Sequence, residues 1–114
     1  MWTVSQLPRI TFRRENTRNI NLTFDMDITG ATVYFTVKKT ADNDSTDASA
    51  VIKKDVTTHT DPVAGKTSIQ LSATDTDVLP GKYGYDIKLE TAGGDHITLG
   101  VGRCDIKPVY TLRA

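Results

Sequence analysis

Apolar and polar side chains alternate along seven short segments of this chain. In the clearest segment, Ile20 to Met26, every second residue is apolar and the residues between are Asn, Thr and Asp. The apolar residues of the other six segments are Ile10 and Phe12; Val33, Phe35 and Val37; Ala50, Ile52 and Val56; Ile69 and Leu71; Tyr83, Tyr85, Ile87 and Leu89; and Ile97, Leu99 and Val101. A period of two is what a β-strand with one buried face requires, and no window keeps helical spacing over three turns. The sequence therefore predicts an all-β fold of seven strands.

Length and composition are those of a globular domain with one core. The 114 residues bury enough surface to fold without a metal or a disulfide. Lys plus Arg equals Asp plus Glu, at 14 each, so the net charge predicts neither nucleic acid nor a membrane as a partner. Cys104 is the single cysteine, and we expect it to be buried as a small apolar side chain. The start of the chain has no secretory signal pattern, so we expect synthesis and folding in a cytosol.

Turn signals separate the seven segments. Gly93-Gly94, for example, predicts a tight hairpin between the last two strands. Short strands at regular spacing with turns between them are typical of a β-sandwich. We therefore predict a seven-stranded antiparallel β-sandwich of immunoglobulin-like type over residues 8–107, with an N-terminal arm at 1–7 and a C-terminal arm at 108–114.

Two local irregularities are predicted within this pattern. Ser72 to Asp75 has the spacing of a capping box, which predicts one short helical turn near residues 73–78. In the last strand the apolar phase changes between Val101 and Cys104. A period of two changes parity only where a residue is inserted, so we predict a β-bulge at Gly102-Arg103.

The segment from Gly81 to Tyr85 is similar to the corner before strand F of immunoglobulin folds. In that corner the hydroxyl of Tyr83 would donate back to the backbone, and Tyr85 would take the place of the usual second cysteine. A tyrosine that is merely packed in the core explains position 83 equally well. Both interpretations stay open at the level of sequence.

No set of residues predicts catalysis, a metal site or a cofactor. His59 and His96 are the two histidines, and we expect both in exposed turns, without the three or four converging ligands of a metal site. The segment Asp42 to Asp47 is only faintly similar to a calcium loop, because Asp47 stands where a glycine is needed and Lys53 replaces the bidentate glutamate. No nucleophile motif, phosphate-binding loop or apolar carboxylate pair occurs. We therefore predict that the protein is not an enzyme and uses no cofactor.

The candidate partner-binding residues lie near the two ends of the chain. Arg9, Arg13 and Arg14, together with Arg18, surround the first strand. They predict either a basic edge for an acidic partner or a solvated edge that prevents sheet-to-sheet aggregation. The other candidates are apolar residues of the arms: Trp2, Val4 and Leu7 before the first strand, and Tyr110 and Leu112 after the last. Such side chains often anchor a partner, and each arm either lies on its own sandwich or reaches a neighbouring subunit.

Three parts of the sequence resemble a family of bacteriophage proteins. They are Ile10 to Arg18 followed by Leu22-Thr23-Phe24, then Asp27 to Lys39, and then Asp75 with Leu79 to Tyr83 and Tyr85-Asp86. Together they resemble the N-terminal immunoglobulin-like domain of phage baseplate upper proteins and related virion fibres. The strongest part has the form L-T-G-A-T-V-x-F-x-V-K, with Ile28 in the first place. These are motifs of turns and core, so they imply a fold and assign no binding residue.

The resemblance implies a non-catalytic structural protein of a phage virion. Such a protein would assemble in the host cytoplasm and bind other virion proteins in multiple copies on a symmetric particle. Baseplate upper proteins continue into long receptor-binding regions, whereas this chain ends at Ala114. We therefore expect a tail, baseplate or neck component or a capsid decoration. The alternative is a carbohydrate-binding or host-adhesion module, for which Trp2, Tyr34 and Tyr110 are the aromatic candidates.

Overall fold

The described part of the chain contains seven β-strands. The computed structural model describes residues 8–39 and 50–109. The strands are β1 (Ile10–Arg13), β2 (Arg18–Thr23), β3 (Thr32–Lys39), β4 (Ile52–Val56), β5 (Lys66–Leu71), β6 (Gly81–Glu90) and β7 (His96–Lys107). The all-β prediction is confirmed. Within the described residues there is no helix of the length and apolar character needed to cross a membrane. The predicted N-terminal arm and residues 110–114 lie outside the described residues.

The strands form two sheets. One has five strands in the order β1-β7-β6-β3-β4, and the other pairs β2 with β5. All pairs are antiparallel except one, because β1 runs parallel to β7 with Ile10 opposite Cys104 and Phe12 opposite Ile106. The prediction of an entirely antiparallel arrangement is therefore wrong at β1. The first and last strands are not joined by a hairpin, so no short connection imposes antiparallel pairing on them.

One hydrophobic core receives side chains from both sheets. The rings of Phe35 in β3 and Tyr85 in β6 pack with centres 5.6 Å apart, and Ile69 of β5 is fully buried on the other sheet. Burial of a side chain of this size contributes about 1.5–3 kcal/mol, so the alternating positions supply most of the stability. Cys104 is buried as predicted, whereas Met26 is exposed because β2 ends before it. The core residues are Ile10, Phe12, Ile20, Leu22, Phe24, Ile28, Ala31, Val33, Phe35, Val37, Ile52, Ile69, Leu71, Tyr83, Tyr85, Ile87, Leu89, Leu99, Cys104 and Ile106.

The β-bulge of β7 lies at Leu99-Gly100 and not at Gly102-Arg103. One residue of β6, Ile87, faces both residues of the bulge. Gly100 has a φ of 124°, which residues with a side chain rarely adopt. The parity therefore changes before Val101, which points to solvent and is 73% exposed. The sequence correctly predicted a bulge in this strand. Its position was wrong because Val101, an apolar residue, was assumed to point into the core.

The helical turn predicted near residues 73–78 is absent. The capping pair itself forms, since the Ser72 N–H donates to Asp75 Oδ2 at 2.8 Å and the Asp75 N–H donates to Ser72 Oγ at 3.1 Å. The residues that follow make a hydrogen-bonded turn and no helix. Thr76 is buried there and its hydroxyl donates to the Asn16 carbonyl at 2.7 Å. The Thr76 N–H does donate to the Ser72 carbonyl at 3.1 Å, but the next turn cannot follow because Pro80 has no N–H for the Thr76 carbonyl, which accepts from the Glu15 N–H at 3.3 Å.

Candidate interaction surface

Two of the predicted arginines form ion pairs at the end of the sheet that carries β1. Arg9 Nε lies 3.7 Å from Asp105 Oδ2, and Arg14 Nε donates to Asp77 Oδ1 at 2.9 Å. Exposed pairs of this kind contribute at most about 1 kcal/mol. They do balance part of the positive charge, so this edge is less basic than the four arginines alone suggest.

The other two arginines contact backbone carbonyls. Arg13 Nη1 donates to the Pro108 carbonyl at 3.0 Å, which holds the residue after β7 beside the end of β1. Arg18 donates to the carbonyl of its neighbour Asn19 at 3.3 Å. Both side chains are exposed, and a role in binding stays a prediction for all four arginines. The five apolar candidates, Trp2, Val4, Leu7, Tyr110 and Leu112, lie outside the described residues.

An ion pair joins the two sheets at edge strand β4. Lys54 lies directly opposite buried Phe35 and so faces inward, and its Nζ donates to Asp75 Oδ2 at 2.8 Å. Asp75 lies just after β5 of the other sheet. The Lys54 ammonium, and then the backbone N–H of Ser72, lower the pKa of Asp75 below its ordinary value. An inward-facing charge on an edge strand opposes the addition of another strand, so β4 is a protected edge.

Two tyrosine hydroxyls of β6 bind backbone carbonyls that lie just before β6 and just before β1. The Tyr83 hydroxyl donates to the Leu79 carbonyl at 2.6 Å, and the Tyr85 hydroxyl donates to the Pro8 carbonyl at 2.5 Å. Of the two interpretations left open for Tyr83, the return bond to the backbone is the one that the structure shows. Burial, above all, raises the pKa of both phenols, so both hydroxyls remain proton donors near neutral pH. Their bonds connect the start of β1 and the start of β6 to the core.

His59 is half-buried and not exposed in a turn as predicted. Its Nδ1 lies 2.9 Å from Thr67 Oγ1, and its Nε2 lies 2.7 Å from the Ala31 carbonyl. A carbonyl only accepts, so Nε2 carries the proton and Nδ1 accepts from the Thr67 hydroxyl in the neutral ring. His96 is exposed at the start of β7, with Nε2 3.9 Å from Glu90 Oε2. The two histidines have separate partners and do not form one site.

The side chains that could bind a metal or react also include the acidic residues, the histidines and Cys104. The described residues contain no group of three or more His, Cys, Asp or Glu side chains that would hold a metal ion. The segment Asp42 to Asp47 lies outside them. The Thr29 side chain and backbone hydrogen-bond to Asp27 and lower the pKa of this exposed carboxyl. Burial raises the pKa of Cys104 to about 12, which keeps it a neutral thiol near neutral pH. The Asp27 carboxylate therefore accepts local hydrogen bonds, and the Cys104 thiol packs in the core.

The outer face of the five-stranded sheet is mostly polar. Tyr34 of β3 donates to Glu90 Oε1 at 2.7 Å, and this hydrogen bond is the main reason that the pKa of Tyr34 is raised. Tyr34 is the one candidate of the three predicted aromatics that the described residues include. The exposed apolar side chain of Val101 also lies on this face. The face offers hydrogen-bonding and ionic contacts to a partner, with one apolar position.

Comparison with known proteins gives a likeness in fold. No family model and no curated protein matches this chain. Among solved structures, CopC from Methylosinus trichosporium OB3b is 11% identical, with 92% of this chain and 89% of that chain covered and a TM-score of 0.53. A structure from a photo-crosslinking study of multimeric cell-adhesive interactions of VGSC beta subunits is 13% identical, with 90% and 92% covered and a TM-score of 0.42. The first supports a shared fold and no shared function, and the second supports neither.

The sequence did not predict the roles of Lys54 and His59, whose side chains bond to distant parts of the chain. Lys54 occupies the inward phase between Ile52 and Val56, and that phase is visible in the sequence as a charged residue at a core position. Its partner is not visible, because the carboxylate comes from the other sheet. His59 gave no signal at all, since its partners, Thr67 of β5 and Ala31 of the β2–β3 connection, are brought to it only by the fold.

Proposed function

We propose that the two sheets form an immunoglobulin-like β-sandwich that acts as a non-catalytic structural module of a bacteriophage particle, binding neighbouring virion proteins. The sandwich is supported by the single core shared by sheets of five and two strands. The likeness in fold to CopC and the return hydrogen bond of Tyr83 support it further. The phage setting is supported by the resemblance of residues 27–39 and 75–86 to virion domains.

One observation carries the absence of catalysis in this proposal. Three polar side chains in the segments behind the resemblance make bonds within the fold: Asp27 to Thr29, Asp75 to Lys54, and Tyr83 to the Leu79 carbonyl. None of these groups is left to converge on a substrate. The described residues also present sheet faces and strand edges, which are surfaces through which proteins bind one another.

A symmetric particle suits a surface of this kind. Repeated copies each make a modest contact, and the combined occupancy is high. The partners are other virion proteins, and the chain would be incorporated when the particle assembles in the host cytoplasm. The tail, baseplate, neck and capsid surface all offer such repeated positions.

Deletion of the gene for this chain from the phage that encodes it, followed by cryo-imaging, tests the proposal. We expect purified particles to contain the chain by mass spectrometry. Particles from the deletion should lack density for a small sandwich at repeated positions, and addition of the purified chain should restore it. Particles that contain none of the chain would contradict the proposal, as would specific binding of the chain to a glycan on an array with no binding to particles.

A further inference from the structure

The outer edge of β2 carries backbone groups that no strand among the described residues uses. The Phe24 N–H donates to the Gly65 carbonyl at 2.7 Å, which continues the β2–β5 ladder by one step. In an antiparallel pair, residues that bond to the partner strand alternate with residues whose N–H and C=O point away from it. Asn19, Asn21 and Thr23 therefore direct their N–H and C=O groups to the open side of β2.

A second observation agrees with this direction. Lys66, which lies opposite Thr23, exchanges both of its backbone hydrogen bonds with Asp61 on the far side of β5. The pair of Thr23 and Lys66 is thus a pair without mutual hydrogen bonds, as the alternation requires. The open edge of β2 therefore presents three residues, each with an outward N–H and C=O, and the Asn19 carbonyl already accepts one hydrogen bond from the Arg18 side chain at 3.3 Å. A carbonyl has two lone pairs, so this oxygen has one acceptor position left.

Charges protect the edges of β4 and β1, and within the described residues the far edge of β5 is covered only at Lys66, whereas β2 has an uncharged run along its open edge. β4 has the inward charge of Lys54, and β1 has only four residues with the exposed Arg9 and Arg13 at its ends. Asp61 covers the start of the far edge of β5. β2 pairs with β5 over six residues without a bulge, has no proline and has no charge between Asn19 and Thr23. Natural sheets rarely leave such an edge open, because it is a template for another strand.

We propose that β2 pairs in antiparallel register with β2 of a second copy of this chain, about a two-fold axis at Asn21. The inference rests on the proposed function and names one partner for it, a second copy. Asn21 faces the partner's Asn21, and Asn19 faces the partner's Thr23. The three facing pairs each exchange two backbone hydrogen bonds. The result is one four-stranded sheet in the order β5-β2-β2-β5.

The side chains of β2 are self-complementary in this register. On the inner face Ile20 meets the partner's Leu22, so two buried apolar positions continue from one core to the next. On the outer face uncharged Asn and Thr side chains meet, with no like charges opposed. The two Arg18 residues lie at opposite ends, about 20 Å apart at 3.4 Å per residue, which exceeds the Debye length of about 8 Å at physiological salt. A two-fold pairing of this kind closes and stops at a dimer.

Sedimentation of the full chain over a concentration series up to about 1 mM tests the pairing. We expect a shift from 12.5 kDa towards a dimer of about 25 kDa, twice that mass. Asn21→Pro removes an outward N–H and no bond to β5, and should weaken the association about tenfold or more, the effect of losing about 1.4 kcal/mol. Gln70→Pro is the matched control, because Gln70 is exposed on β5 and its N–H points away from β2. Asn21→Lys with Gln70→Lys repeats the comparison without proline, in case either proline variant fails to fold.

Three outcomes would overturn the pairing. The first is a full chain that stays monomeric across the series. The second is slow amide exchange at Asn19, Asn21 and Thr23 that does not depend on concentration, which would mean that another part of the same chain covers the edge. The third is a dimer that is lost when residues 1–7 are deleted, because the arms would then be the contact. The two tests fail separately. A monomeric chain would contradict the pairing but not the place of the chain in a particle, and absence of the chain from particles would contradict that place but not the pairing.

Discussion

The contact between Gly102 and Tyr85 allows a sharp test of how the core is packed. A Cβ at Gly102 would lie 2.5 Å from Tyr85 Cε1, 2.7 Å from Cζ and 2.8 Å from the hydroxyl oxygen. Carbon atoms pack at about 3.5–4.0 Å, so the ring would have to move by about 1 Å. It is not free to move, because it packs on Phe35 and its hydroxyl binds the Pro8 carbonyl. Gly102→Ala should therefore cost about 1–3 kcal/mol from overpacking and about 1 kcal/mol more if the hydrogen bond is lost.

Denaturant unfolding followed by circular dichroism measures this cost. The matched control is Gly84→Ala, whose Cβ would meet only the Gly102 carbonyl at 3.8 Å and should change stability by about 0.5 kcal/mol or less. In a Tyr85→Leu background the ring atoms are gone, so Gly102→Ala should cost much less there than in the natural chain. An equal cost in both backgrounds, or equal effects of the two alanine variants, would refute the clash as the cause. Thermal unfolding should agree, with about 4–8 °C per kcal/mol.

Three further predictions use groups whose environment the fold determines. Asp75→Asn should lower the free energy of unfolding by about 1 kcal/mol above pH 5 and flatten its acid dependence. The pKa of Asp75 in the folded protein lies below the unfolded value of 3.8, so its contribution to stability is present above pH 3.8 and is lost as the pH falls through the folded pKa. Denaturant titrations between pH 7 and pH 2 measure this loss. Cys104 should react with a thiol reagent only through opening of the fold, so its labelling rate should rise with urea, and stoichiometric labelling within seconds in buffer would contradict its burial. His59→Ala should cost about 1–3 kcal/mol because it leaves the Thr67 hydroxyl without its acceptor, while His96→Ala, at an exposed site, should change stability by less than about 0.5 kcal/mol.

Local information was enough to predict the strands. Each strand's inward residues follow from a period of two within its own segment, as in Val33, Phe35 and Val37, so no knowledge of the rest of the chain was needed. The capping pair of Ser72 and Asp75 is local as well, and its hydrogen bonds form as predicted. The helix that it was expected to begin does not form, because Pro80 has no N–H for the Thr76 carbonyl, which instead accepts from the Glu15 N–H, far away in sequence.

Features that depend on two distant segments were not predictable in the same way. The direction of β1 is decided by β7 at the other end of the chain. The partner of Lys54 comes from the other sheet, and the two partners of His59 come from the β2–β3 connection and from β5. The candidate surface follows the same rule: the arginines were found from spacing, but their pairing with Asp77 and Asp105 required the fold.

Association through strand edges explains why the fold of a chain can be predicted from its sequence while its binding partner cannot. Pairing through an edge uses backbone N–H and C=O groups, which every residue except proline supplies, so it leaves almost no side-chain signature. CopC therefore shares the fold at 11% identity without indicating what this chain binds. The information lies in where charges block the edges. Of the four edge strands that the structure describes, β4 is blocked by Lys54, β1 is flanked by arginines, and β5 is covered at Lys66 by Asp61. The run from Asn19 to Thr23 of β2 carries no charge, and this difference is why the association is placed there.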